Sequence, residues 1–190
     1  ALLDPSPFSL AEARRALEPP FVGGADYEMP LEELEVPAGG FDVVWATHAL
    51  YALPEEALRE GLSRFLEAMR GGVGVIAHAT SHSHYLRWQQ LYLEAFHGGS
   101  GRRFLAAEAI LDTLADLGAR VDARTIAYDT TAPAGADAQV EGFLQRCVFD
   151  DGVCLARMRE RAPTGDYLAA CSSADGWRFP QHVALVFLRA

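Results

Sequence analysis

Short apolar runs alternate with amphipathic stretches along this chain, and few folds accept that order. A strand buried on both faces must be apolar throughout, and two such strands in parallel need a helix-length crossover between them. The expected fold is therefore α/β, a mostly parallel sheet flanked by helices. The clearest strand is 41–46, Phe-Asp-Val-Val-Trp-Ala, rich in β-branched and aromatic residues. Further strands are expected in the opening run that ends at Asp4 and over 21–24, 73–77 and 121–128. Helices are expected over 8–17, 54–69, 86–96 and 104–117. Pro19 and Pro20 stop the first of these, Pro54 with Glu55 and Glu56 opens the second, and Gly71 and Gly72 follow its end.

The alternation pauses after 128. Residues 129–137 are rich in Thr, Ala, Pro and Gly and read as a loop, 139–149 and 155–161 read as helices, and 182–188 as a last strand. No crossover helix directly precedes that strand, so it is expected to run antiparallel to the rest. The chain thus reads as a single domain over 1–190, with 129–180 an excursion before the last strand.

Composition narrows the partners. Half of the residues are hydrophobic, enough for one sizeable core, and the net charge of −10 repels polyanions such as nucleic acid or anionic lipid. All 16 basic residues are arginine, which rules out lysine-based chemistry. Cys147, Cys154 and Cys171 are an odd number without paired spacing, so neither a disulfide framework nor a zinc site is expected, and a cytoplasmic setting fits. No apolar run approaches the ~18 residues of a membrane span.

In open α/β sheets ligands gather beyond the carboxyl ends of the strands. The residues at those positions are Asp4, Asp26, Thr47, His48 and the stretch from His78 to His84. A carboxylate such as Asp4 can accept both hydroxyls of a ribose, although Asp-Pro-Ser is equally a helix-capping sequence. His78, His82 and His84 suggest a metal only superficially: no cysteine or carboxylate cluster lies near in sequence, and a polar loop beside a pocket or water is the expectation.

Leu3-Asp4-Pro5-Ser6, Gly24-Ala25-Asp26, Phe41-Asp42-Val43-Val44 with Ala49-Leu50-Tyr51, and Gly71-Gly72-Val73-Gly74-Val75-Ile76 together resemble class I S-adenosylmethionine-dependent methyltransferases in order and spacing. That resemblance implies a Rossmann-like sheet with an antiparallel last strand. It also implies S-adenosylmethionine as cofactor, held by Asp4 at the ribose, by Ala25 and Asp26 at the adenine, and by Thr47 and His48 near the methionine end. The family's first strand and glycine-rich turn are absent, so the chain is expected to be an N-terminally truncated piece, inactive alone. Gly71-Gly72 is no substitute, because it enters a strand rather than leaving one for a helix start.

Leu50-Tyr51, Trp88, the stretch from Phe143 to Cys147 and the last strand look most like the histamine N-methyltransferase group. Its substrate-orienting amides correspond to His48 and Gln181, the first a departure from glutamine. The implied activity is methyl transfer to a small-molecule acceptor, an amine or imidazole nitrogen. His48 is expected to orient the acceptor and take its proton directly or through water, beside an aromatic wall of Tyr51, Trp88 and Phe143. Core packing is the competing reading for Trp88 and Phe143. All this supposes that Asp4 and the Thr47-His48 pair leave neighbouring parallel strands on one rim. Two alternatives stand beside it: a nicotinamide-dependent oxidoreductase, which also holds a ribose with such an acid, and a non-enzymatic methyltransferase-like partner or remnant.

Overall fold

The computed structural model describes residues 1–38, 40–51 and 53–189. A turn expected at 37–40 includes Gly39, which lies outside the described residues. The chain opens with β1 (Leu2–Leu3), α1 (Pro7–Arg15) and β2 (Asp26–Tyr27). It continues through β3 (Val43–Thr47), α2 (Leu58–Met69), β4 (Val73–Ala79), α3 (His84–His97) and α4 (Ala107–Asp116). Then come β5 (Arg120–Pro133), α5 (Asp137–Arg146), α6 (Leu155–Glu160), α7 (Thr164–Cys171), β6 (Ser172–Ser173) and β7 (Gly176–Arg189).

The main sheet has the order β3-β4-β7-β5, with β6 paired to the start of β7. β3 and β4 are parallel, whereas β7 runs antiparallel to both β4 and β5. The last strand of the chain therefore sits inside the sheet, between two strands made much earlier. The expected antiparallel end is present, and the strand is longer than 182–188 because its first half pairs with β5 beyond the end of the β4 ladder, and with β6 at Gly176 and Trp177. Pro180 falls in that half, beyond the β4 ladder that stops at Val183 and short of the β6 ladder that starts at Trp177. A proline without an N–H is tolerated where one side of a strand has no partner.

Helix α2 follows from its sequence. Pro54 precedes a turn of 3-10 helix over Glu55–Ala57, and Leu58, Leu62, Phe65 and Met69 then recur at helical spacing and are buried. The chain leaves through Arg70, left-handed at φ 36°, and the buried side packs with α4 residues Ile110 and Leu114 on Ala46, Ile76, Val186 and Leu188 of the sheet. Gly74 must be glycine for this contact: an added Cβ would lie 2.7 Å from the Met69 sulfur and 2.8 Å from the Phe65 ring. A second core joins Trp88 and Tyr92 of α3 to Val140, Leu144, Met158, Leu168 and Phe179.

The other face of the sheet is different. Register places Trp45, Val75 and Phe187 in one row, and Val43 with Val73 in the next. Side chains opposite one another in register share a face. Val43, Trp45, Val73, Phe187 and Ile126 are all exposed there, Trp45 by 70%. Contiguous apolar surface of this kind marks a contact site or an association hazard.

The N-terminal region departs from expectation. Residues 21–24 form no strand, and Phe21 and Val22 are exposed; the strand is Asp26–Tyr27, paired in parallel with Leu2–Leu3. The pairing partner, rather than local hydrophobicity, selects it. These two strands form their own sheet, with no ladder to β3 among the described residues. Asp4 and Thr47-His48 thus do not leave neighbouring strands, which corrects the shared-rim expectation. The reason lies in the pairing: among the described residues β1 has its ladder with β2 alone, in a sheet of its own.

The two faces predict opposite mutational behaviour. Phe65→Ala should cost about 3–5 kcal/mol of unfolding free energy, the scale of an aromatic deleted from a packed core. Trp45→Ser should leave stability within about 0.5 kcal/mol while reducing self-association and binding of an apolar dye. Urea denaturation and light scattering measure the two effects, and a Trp45→Ser variant as unstable as Phe65→Ala would contradict this assignment of faces.

Candidate functional site

Residues at the carboxyl ends of β3 and β4 converge on one hydroxyl. The His48 N–H extends the β3 ladder by donating to the Ala77 carbonyl at 2.9 Å, after which the residue turns left-handed at φ 51°. A non-glycine residue held in that region is strained, and such strain concentrates at functional positions. Three residues on, Tyr51 is buried, and its hydroxyl lies 2.6 Å from His48 Nδ1. The same oxygen accepts the Ala79 N–H from the end of β4 at 3.3 Å. Tyr51 therefore ties the exit of β3 to the exit of β4, and His48 stays solvent-accessible at the rim.

The Tyr51 ring is enclosed by others: His78 at 4.0 Å between centroids, Tyr85 at 4.5 Å and Phe104 at 5.6 Å. His78 belongs to β4, not to a polar loop, and is fully buried; its Nε2 hydrogen is donated to the Leu105 carbonyl at 2.9 Å, while Nδ1 has no partner among the described residues. Burial holds its pKa down to about 4, opposed by the bond to Leu105 and reinforced by His48. Burial also lowers the pKa of His48 and raises that of the Tyr51 hydroxyl, so both are neutral near pH 7.

His84 is buried in the second core as the first residue of α3, correcting its placement in a polar loop. Its ring stacks near Trp88, Phe143 and Tyr167, its Nδ1 lies 2.8 Å from the Tyr167 hydroxyl, and its Nε2 has no partner among the described residues. Burial drives its pKa down to about 3. The third loop histidine, His82, lies near His182 instead, with ring centroids 6.3 Å apart. The three histidines thus go separate ways: one into β4, one to the surface, one into the second core.

The other expected site residues divide into groups. Asp4, half-buried after β1, accepts the Ser6 N–H on Oδ1 at 2.8 Å, while Ser6 itself caps α1. Asp4 is thus a turn-former ahead of the cap, with its second carboxylate oxygen outside that bond. Asp26 is exposed and ion-paired with Arg14, and Ala25 is exposed beside it. Thr47 accepts the Trp45 indole N–H. Trp88 is fully buried, with its indole N–H donated to the Leu144 carbonyl at 3.0 Å, and Phe143 packs against the same core.

Tyr51 lies in a different aromatic cluster, so the expected wall of Tyr51, Trp88 and Phe143 is two groups, with Tyr85 packed against both. Gln181 is buried, accepting from the Ser83 hydroxyl at 2.8 Å and donating to Thr130 at 3.4 Å. Tyr85 and Phe104 were not singled out from sequence, although Tyr85 follows His84 directly. An open cleft of about 370 Å³ lies alongside, lined by Phe104, Leu86, Ser81, Gln90 and Arg103 among others.

No family model matches this chain, and no curated protein matches it. Solved structures do. A candidate methyltransferase from Bacillus halodurans is 12% identical with a TM-score of 0.57, over 86% of this chain and 70% of that one. A protein of unknown function from Deinococcus radiodurans is 17% identical with a TM-score of 0.53, over 98% and 67%. A SAM-dependent methyltransferase from Methanosarcina mazei is 12% identical with a TM-score of 0.50, over 98% and 80%. At these identities the likeness is one of fold: a mixed α/β sheet flanked by helices, as in methyltransferases.

The buried histidines give a pH dependence with a definite sign. Above pH ~6.5 both are neutral whether the chain is folded or unfolded, and the folded state carries no penalty. Below it the unfolded chain takes up protons that the folded chain refuses, so stability falls by ~1.4 kcal/mol per pH unit for each histidine. For His78 the loss continues down to about pH 4, and for His84 to about 3. His84→Phe should flatten the fall in urea midpoint between pH 7 and pH 5; an undiminished slope would show that His84 does not contribute.

Proposed function

We propose that this chain is the larger part of an S-adenosylmethionine-dependent methyltransferase acting on a small molecule, with an amine or imidazole nitrogen as methyl acceptor. The observation that carries the reading is the rim at the ends of β3 and β4, where strained His48 stands against Tyr51 on a sheet of methyltransferase-like fold. An antiparallel β7 inside the sheet supports it over a nicotinamide-dependent oxidoreductase, whose doubly wound sheet is mostly parallel.

The residues present suit the adenosine half of the cofactor in one respect. Asp4 is a half-buried carboxylate at a strand end whose Oδ2 lies outside the turn bond and whose Oδ1 keeps a second lone pair, which leaves two acceptors for a ribose diol. Thr47 and His48 would face the methionine end, and Ala25 with Asp26 the adenine. When bound, S-adenosylmethionine supplies a methyl carbon on a positively charged sulfur, open to displacement by an acceptor lone pair. The chain's own contribution is then positioning, which alone supplies much of the acceleration in a two-reactant displacement. His48 orients the acceptor, and the proton released leaves through His48 or through water. Gln181, Trp88 and Phe143 shape the region behind it.

The separate β1-β2 sheet and the uncovered face around Trp45 support a further part of the reading. The cofactor cradle would be completed by polypeptide beyond these 190 residues, and the segment alone would be inactive. Calorimetry on the 190-residue polypeptide should detect little cofactor binding; micromolar affinity would oppose this. Protein expressed with any upstream reading frame should transfer labelled methyl to a member of a panel of amines and imidazoles. There His48→Ala should lower turnover about 10²-fold with cofactor affinity little changed. Equal losses in both, or none in turnover, would remove His48 from the role.

A further inference from the structure

The hydroxyl of Tyr51 has a hydrogen whose destination can be worked out. Its oxygen accepts the Ala79 N–H, a backbone donor that cannot reverse. The contact to His48 Nδ1 at 2.6 Å runs in one of two directions. If Nδ1–H donated, the phenolic oxygen would accept twice, and its own hydrogen would need another acceptor. Tyr51 is 4% exposed, and among the described residues no other acceptor meets its hydroxyl. A buried donor without a partner costs about 1–3 kcal/mol. If the hydroxyl donates to Nδ1 instead, every group in the chain Ala79–Tyr51–His48 is satisfied.

The remaining ring nitrogen then carries the hydrogen of neutral imidazole. We infer that Tyr51 is a positioning residue that locks His48 as its Nε2–H tautomer, so that the rim presents a hydrogen-bond donor to the acceptor molecule rather than a base. This deepens the proposed function and rests on it for the identity of the bound molecule. The matching substrate class is one with a hydrogen-bond acceptor besides the attacking lone pair, such as an amine or imidazole bearing an oxygen or further nitrogen acceptor next to the methylated nitrogen. A protonated amine meets a donor with a donor and is turned away. The proton lost by the acceptor passes to water, and His48 keeps its own. The left-handed turn at His48 and its N–H bond to Ala77 fix the backbone from which Nδ1 reaches Tyr51.

The tautomer can be read without any turnover. Two-bond nitrogen–proton correlation spectra of histidine-labelled protein distinguish the two neutral tautomers, and His48→Gln assigns its signal among the six histidines. The expected spectrum at pH 8 shows His48 protonated at Nε2; protonation at Nδ1 overturns the inference. Tyr51→Phe should release the ring into a mixture of tautomers while the His78 and His84 signals keep their positions. A His48 pattern unchanged in that variant removes Tyr51 from the role.

Turnover supplies an independent arm in the protein expressed with its upstream frame. Glutamine keeps an N–H donor and cannot act as a base. His48→Gln should therefore stay within about tenfold, whereas His48→Ala, which removes the donor and leaves its partner unpaired, should lose about 10²-fold. His48→Gln as impaired as His48→Ala would make His48 the base and overturn the inference. Absence of any methyl transfer would reject the proposed function, and the spectra would still decide the tautomer.

Discussion

The main sheet and both large cores are arranged around β7, the strand that arrives last and lies in the middle. It bonds β4 from Val183 to Arg189 on one side and β5 from Gly176 to Arg189 on the other. Until it pairs, β4 and β5 are edges with open rows of N–H and C=O groups. Its inward residues Ala184, Val186 and Leu188 complete the core under α2 and α4, while Phe179 completes the second core with α3 and α5. The same strand supplies Gln181 to Ser83 and the His182 carbonyl to Thr80. Both bonds secure the segment between β4 and α3. The candidate site thus depends on a strand that contributes none of the residues at the rim itself.

What could be read from sequence tracks how far each element depends on local chemistry. The run Val43-Val44-Trp45-Ala46 announces a strand because apolar β-branched residues have few other uses, and α2 announces itself by the spacing of Leu58, Leu62, Phe65 and Met69. β5 does not. Its last five residues, Asp-Thr-Thr-Ala-Pro, carry the composition of a loop and become a strand because β7 pairs with them rung by rung up to Pro133. α7 was missed for a related reason. Its sequence Thr-Gly-Asp-Tyr-Leu-Ala-Ala-Cys has a glycine in the first turn and a weak apolar stripe, and packing of Leu168 and Cys171 into the second core sustains it. The misplaced second strand shows the converse error, since Phe21 and Val22 are apolar but pair with no strand among the described residues.

The candidate site was legible in its parts and not in its wiring. His48 and Tyr51 stand just past a clear strand, which is why both drew notice. Their connection to the Ala79 N–H required knowing that β3 and β4 lie side by side in register, with Thr47 opposite Ala77. His78 and His84 looked like loop residues because sequence shows polarity and not depth. In the fold each is fully buried, with one ring nitrogen satisfied and the other without a partner among the described residues. Burial without full satisfaction explains their low pKa values, and it makes the region around β4 and α3 sensitive to acid while the rim histidine stays free to face a ligand.

Sheet asymmetry and rim geometry bear on each other. One face holds the core of α2 and α4, and the other presents Val43, Trp45, Val73 and Phe187 to solvent. Parallel strands are stable in water only when both faces are covered, since an apolar face left open costs about 25 cal/mol for each Å² it fails to bury. β3 is the strand on which this cost falls hardest. It is an edge among the described residues, it carries Trp45, and it ends in His48. Whatever covers that face therefore sets how firmly β3 holds its register against β4, and with it whether the Tyr51 hydroxyl stays within reach of both Ala79 and His48. A rim built on an open edge is only as well ordered as the edge, so the hydrogen bonds at Tyr51 last only as long as the ladder between β3 and β4 holds.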